Sequence, residues 1–136
     1  VSAAAVRAQL AAHLLATGIL TRESPEPVPF MRAAGRSPVH LEFGVAVEST
    51  GPSARRNDQS TSTVTVLIAY QLPPKDRISG YDGMLAVDDS IRAAVLASAW
   101  ANGPRLAAYT WERTTRPPGI DGWIWIEQTY TAHHLT

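Results

Sequence analysis

The sequence predicts an α+β fold: a four-stranded, mainly antiparallel sheet with two helices packed on one face, in the order α-β-β-α-β-β. Three observations predict it. Residues 40–48 and 63–72 alternate apolar and polar side chains with the period of two that a half-buried strand needs. Residues 3–17 and 82–100 repeat apolar side chains at about 100° per residue, as a helix lying on a core does. Two further alternating runs, 106–115 and 123–133, flank a turn that contains Pro117, Pro118 and Gly119.

Ser2 is placed as the N-cap of the first helix. Its core face gathers Ala3, Val6, Leu10, Leu14 and Thr17, and its reverse carries Ala4, Ala8, Ala11 and Leu15, small residues that let another backbone approach closely. Gly18 stops it, and one early arginine with His13 at mid-helix marks it as a folded helix rather than a signal peptide. Prolines at 25, 27, 29 and 38 make residues 19–38 an extended connection, with a short strand around 29–32.

In the first long strand Leu41, Phe43, Val45 and Val47 point to one side. In the second, Val64, Val66, Ile68, Tyr70 and Leu72 do the same, while Leu67 and Ala69 predict partial cover on the opposite face. Between the strands, residues 49–62 read as a long polar loop, with Gly51, Pro52, Asn57 and Asp58 as turn formers and Arg55 and Arg56 as adjacent charges. Loops beyond about 12 residues in a compact domain are usually functional, so this one is the first candidate for a working surface.

The second helix has a core stripe of Met84, Val87, Ile91, Ala94, Val95 and Ser98. A second stripe, Leu85, Asp89, Arg92 and Leu96, sets an ion pair between two leucines; it is either a solvated flank or a subunit contact. The third strand puts Tyr109 and Trp111 on one side, and the fourth puts Ile124, Ile126, Tyr130 and Ala132 on one side with Trp123 and Trp125 on the other. That tryptophan face packs under a loop or meets another subunit.

Composition narrows the function classes. One domain spans the 136 residues, twelve basic side chains balance twelve acidic ones, and no apolar run approaches the roughly 20 residues of a membrane span. With no cysteine there is no thiolate ligand or thiol nucleophile. His133 and His134 are adjacent on a strand and point to opposite faces, and Asp88 and Asp89 diverge by about 100° on a helix, so neither pair forms a simple metal or acid/base site. Asp121 in Gly-Ile-Asp-Gly reads as a turn residue. No nucleophile elbow, phosphate loop or zinc-protease helix is present, and the expectation is a non-enzymatic protein with no catalytic residue, no metal and no cofactor.

The element order resembles the tail terminator proteins of long-tailed bacteriophages, the group of the lambda minor tail protein U, and their gene transfer agent relatives. The resemblance runs through the N-terminal helix, the proline-containing lead into a first strand, the polar loop, the strand 63–72 ending in Gln-Leu-Pro-Pro, the helix 82–100 and the closing strand pair. It implies a virion protein assembled in the host cytoplasm into a ring, six-fold by analogy, that caps the tail tube. The implied partners are further copies of the chain, the tail tube protein and the head-tail connector or neck protein, with DNA passing through the channel without sequence-specific binding and no membrane involved. A neck or head-completion protein is the structural alternative, and a small ligand-binding domain or enzyme is the alternative from another class. Contact candidates are Arg55, Arg56, Leu85, Asp89, Arg92, Leu96, Trp123 and Trp125.

Overall fold

The computed structural model describes residues 1–27, 38–54 and 56–136. Its elements are α1 (Ala3–Ala16), β1 (Arg22–Glu23), β2 (Glu42–Pro52), β3 (Gln59–Gln71), α2 (Arg77–Leu96), β4 (Ala107–Thr115) and β5 (Trp123–Leu135). The α+β class stands, but among the described residues the sheet has five strands and is mixed. Their order is β1-β2-β3-β5-β4, with β1 parallel to β2 and every other pairing antiparallel. Two residues carry no periodicity, which is why β1 is invisible in the sequence. The strand expected around 29–32 lies outside the described residues.

The larger correction concerns the polar loop. β2 and β3 continue to pair through Ser49↔Thr63, Thr50↔Ser62, Gly51↔Thr61 and Pro52↔Ser60, beyond a register shift between Val47 and Ser49. Only residues 53–58 are left as the connection. Of these residues only the threonines favour a strand, and none supplies an apolar alternation, so the extension is set by pairing with no signal in the sequence. β5 then pairs β3 along its whole length, from Gln59↔Leu135 to Gln71↔Trp123.

The core forms where the two helices meet one face of this sheet. Val6, Leu10 and Leu14 of α1 and Met84, Ile91 and Val95 of α2 are fully buried against Phe43, Val64, Val66, Ile68, Ile126 and Tyr130. Burial on this scale contributes about 1.5–3 kcal/mol for each large side chain. Ala11, expected on the reverse of α1, is buried, whereas Ala4, Ala8 and Leu15 are exposed. The Ser2 hydroxyl accepts from the Ala5 N–H at 3.1 Å, as an N-cap should.

α2 starts five residues before the expected Asp82 and ends at Leu96, so Ser98 and Trp100 lie beyond it. Asp76, at φ 55°, caps it by accepting from the Ser79 N–H at 3.2 Å. Gly80 is required one turn later, because an added Cβ would overlap the Pro73 ring. α1 packs over β1 and β2, α2 packs over β4, and the helices touch each other, so each guards one lateral flank of the sheet.

Candidate assembly surfaces

The first surface is the tip of the β2–β3 hairpin. The 13 residues of β3 reach roughly 40 Å at about 3.3 Å per residue, and the tip is braced on one side by β2 and on the other by β5. Thr50 Oγ1 and Ser62 Oγ share a hydrogen bond of 2.8 Å, and Ser62 Oγ lies 2.8 Å from His134 Nε2. His134 Nδ1 faces the Leu135 carbonyl at 3.1 Å. A carbonyl only accepts, so Nδ1 carries the proton and Nε2 accepts from the Ser62 hydroxyl. This serine–histidine contact ties strands together; the Ser62 side chain is buried and its oxygen engaged on both sides.

At the tip, Arg56 Nε and Nη2 donate to the two Asp58 carboxylate oxygens, both at 3.2 Å. Both side chains are largely solvent-exposed, so this bidentate pair orders the turn more than it stabilises the fold. The Asp58 carbonyl accepts from the Thr136 N–H at 3.1 Å and its hydroxyl at 3.2 Å, which fastens the end of β5 to the turn. Arg55 lies outside the described residues.

The second surface is the flank where α2 meets β4. Arg92 Nη2 donates to Asp89 Oδ1 at 2.8 Å, and its guanidinium carbon sits 4.7 Å from the centre of the Trp111 ring. Trp111 Nε1 donates to Thr114 Oγ1 at 2.9 Å, so the indole is fixed while its ring is 41% exposed. Leu96 is 40% exposed on the same flank; Leu85 is half-buried and joins the core. Of the α2 stripe read from the sequence, Asp89 and Arg92 form one group with Trp111 of β4, while Leu85 belongs to the core.

Trp123 and Trp125 occupy a third place, on the sheet face opposite the helices. They are half-buried and pack with Ala46 on the fully buried Leu67 and Ala69. The β4–β5 turn closes on them, with the Gly119 N–H donating to the Trp123 carbonyl at 2.7 Å and the Trp125 N–H to the Pro117 carbonyl at 3.0 Å. Packing under a loop therefore accounts for much of this surface. Along the same face, Thr61, Thr63, Thr129 and Thr131 are half-buried, and Thr110, Glu112 and Arg113 of β4 are exposed. Glu48, Glu112 and Glu127 accept from Thr65, Thr131 and Thr115 at 2.6, 2.9 and 3.2 Å. The tip, the α2–β4 flank and the tryptophans are not brought together.

Two groups were missed from the sequence. Asp88, on the α2 core face, is fully buried; Arg116 donates to Oδ2 and Gln128 Nε2 to Oδ1 at 2.6 Å. Tyr130 Oη donates to Gln128 Oε1 at 2.6 Å, and burial, with the Asp88 charge second, raises the Tyr130 phenol above its ordinary range. A carboxylate in register with Met84, Ile91 and Val95 was the available signal. The other group is a ring stack. His13 lies parallel to Trp100 at 4.0 Å and donates from Nε2 to the Ala94 carbonyl at 2.9 Å, and Trp100 stacks on Tyr109 at 5.6 Å. Burial raises the Tyr109 phenol, with Arg105 opposing the shift.

Among the described residues no group of three or more histidine or acidic side chains is placed to hold a metal, and no helix is long and apolar enough to cross a membrane. The chain matches no protein-family model and no curated protein.

Proposed function

We propose that this chain is a structural virion component of the tail terminator kind, which assembles as a ring at the head-proximal end of a long phage tail. There it ends tube growth and offers a joining surface to the head connector, and DNA passes through the ring. The observation that carries this reading is the division of the sheet into two unlike faces. Both described helices cover one face, while the accessible part of the other carries threonine hydroxyls with Glu48, Glu112, Glu127 and Arg113 among them.

Copies arranged around an axis with helices outward would line a channel with hydroxyls and carboxylates. Such a lining offers few cations to phosphates, so DNA would slide past it rather than bind. The braced hairpin suits an axial contact. Its strands are paired up to Pro52 and Ser60, so little ordering of the strands would be needed when it meets the tube. The reading assigns no catalytic role to any residue.

Electron microscopy of the purified protein with polymerised tail tubes tests this. Annular particles with a central opening, seated at tube ends, are the expected result. Binding to the portal side of head particles with no affinity for tube ends would replace the reading with the neck-protein alternative, and binding to neither would refute it.

A further inference from the structure

The two lateral flanks of the subunit are complementary, and we propose that a second copy of this chain is what covers each of them. The inference rests on the ring reading above, and it names the contact. On one flank, α2 and β4 present a fixed projection: Trp111 and Leu96, both about two-fifths exposed, with Arg92 and Asp89 beside them. On the opposite flank, where α1 overhangs β1 and β2, lies a cleft of about 330 Å³. Its walls include Pro25, Pro27, Val45 and Ala46, with Arg7, Glu23 and Glu26 at its polar side.

The charges correspond. Arg7 Nη1 donates to Glu23 Oε1 at 3.0 Å and to the Val45 carbonyl at 3.2 Å, so the cleft holds an oriented cation and anion side by side. The projection holds an oriented anion and cation, Asp89 and Arg92. When Trp111 and Leu96 enter the cleft, Arg92 meets Glu23 and Asp89 meets Arg7, forming a four-membered alternation of charge. Both ion pairs exist before contact, which limits the side-chain entropy lost on docking. The Trp111 ring supplies the buried anchor typical of interface centres.

The patches differ and lie on opposite flanks, so the contact is heterologous. Repeated, such a contact closes a ring where the rotation between copies closes, as the ring reading requires, and it is not the self-complementary contact of a two-fold dimer. Antiparallel extension of the sheet is disfavoured as a competing contact. β4 has a register shift between Trp111 and Arg113, and β2 is interrupted by its own shift and by Pro52, which lacks an N–H.

The experiment is complementary charge reversal, read by sedimentation velocity with circular dichroism as the check on folding. Wild-type protein should form one closed oligomer at about 100 µM, and E23R and R92E alone should each associate at least about tenfold more weakly. Mixing the two variants should restore the oligomer, because each interface in an alternating ring then pairs one acid with one base, and E23R/R92E in a single chain should restore it as well. Restoration also demonstrates that the single variants fold. A monomeric wild type, undiminished assembly of the single variants, or failure of both the mixture and the double variant would each overturn the proposal. An oligomer that behaves as described but ignores tail tubes would leave this interface standing and remove the terminator reading.

Discussion

Removing the Arg116 guanidinium tests the buried carboxylate beneath α2. In wild-type protein Asp88 is fully buried, with Arg116 on Oδ2 and Gln128 on Oδ1. Arg116→Ala leaves that charge with Gln128 alone. Breaking a buried pair costs about 3–5 kcal/mol when the remaining charge is sealed from water. Here the arginine side chain is 31% exposed, so solvent reaches the emptied position, and the Gln128 hydrogen bond survives. Both effects reduce the cost, to roughly 2–3 kcal/mol, which corresponds to about 10 °C in melting temperature for a chain of this size. Asp88→Asn combined with Arg116→Ala removes the charge while keeping an acceptor for Gln128, and should recover all but about 1 kcal/mol of the loss. Urea denaturation of the four proteins gives the coupling directly. A single variant within about 0.5 kcal/mol of wild type, or a double variant no more stable than Arg116→Ala, would refute the account of Asp88 as a charge that depends on its arginine.

Gly80→Ala should lose about 1–2 kcal/mol in the same assay. The gain of about 1 kcal/mol in helix propensity is outweighed by overlap of the new methyl with the Pro73 ring. Arg56→Ala should leave the urea midpoint nearly unchanged, within about 0.5 kcal/mol, because its pair with Asp58 is exposed, yet it should weaken binding to tube ends in a pull-down with polymerised tubes. His40 Nδ1 accepts from the Gln71 N–H at 3.0 Å, and burial lowers its pKa below the ordinary 6.5. The unfolded chain therefore takes up the proton first as acid is added. Stability is complete above about pH 6.5 and declines as pH falls toward the folded-state value, so melting temperatures measured from pH 7 to pH 5 should fall less steeply in His40→Gln than in wild type.

The helices and the core face were legible because apolar spacing is a strong, redundant signal. Met84, Ile91 and Val95, or Val6, Leu10 and Leu14, each confirm the others, and all six are buried. The hairpin was misread for the converse reason. Residues 49–52 and 59–62 belong to strands, but serine, threonine, glycine and proline there give no apolar contrast, and β3 is also paired on its other edge by β5, which arrives more than sixty residues later in the chain. Asp88 illustrates a different failure. Its angular position placed it on the core face, while its charge suggested solvent; the partner that resolves the conflict, Arg116, is supplied by a distant turn. The Leu85–Asp89–Arg92–Leu96 stripe was readable because its ion pair spans three residues, but Trp111, which makes it a surface, comes from another element.

The position of β5 has a consequence for how the molecule is made. Among the described strands it comes last in sequence, yet it lies in the sheet interior between β3 and β4. A nascent chain that has emerged only through β4 has β1, β2 and β3 able to pair, but the far edge of β3 is bare for its full 13 residues and β4 has no strand to pair with. Local contacts cannot complete such a sheet, so folding waits on synthesis of β5. During that interval the exposed edge of β3 is a template for mispairing, and a chain interrupted before residue 123 would be an aggregation and proteolysis substrate. The topology thereby makes completion of the sheet depend on translation through β5.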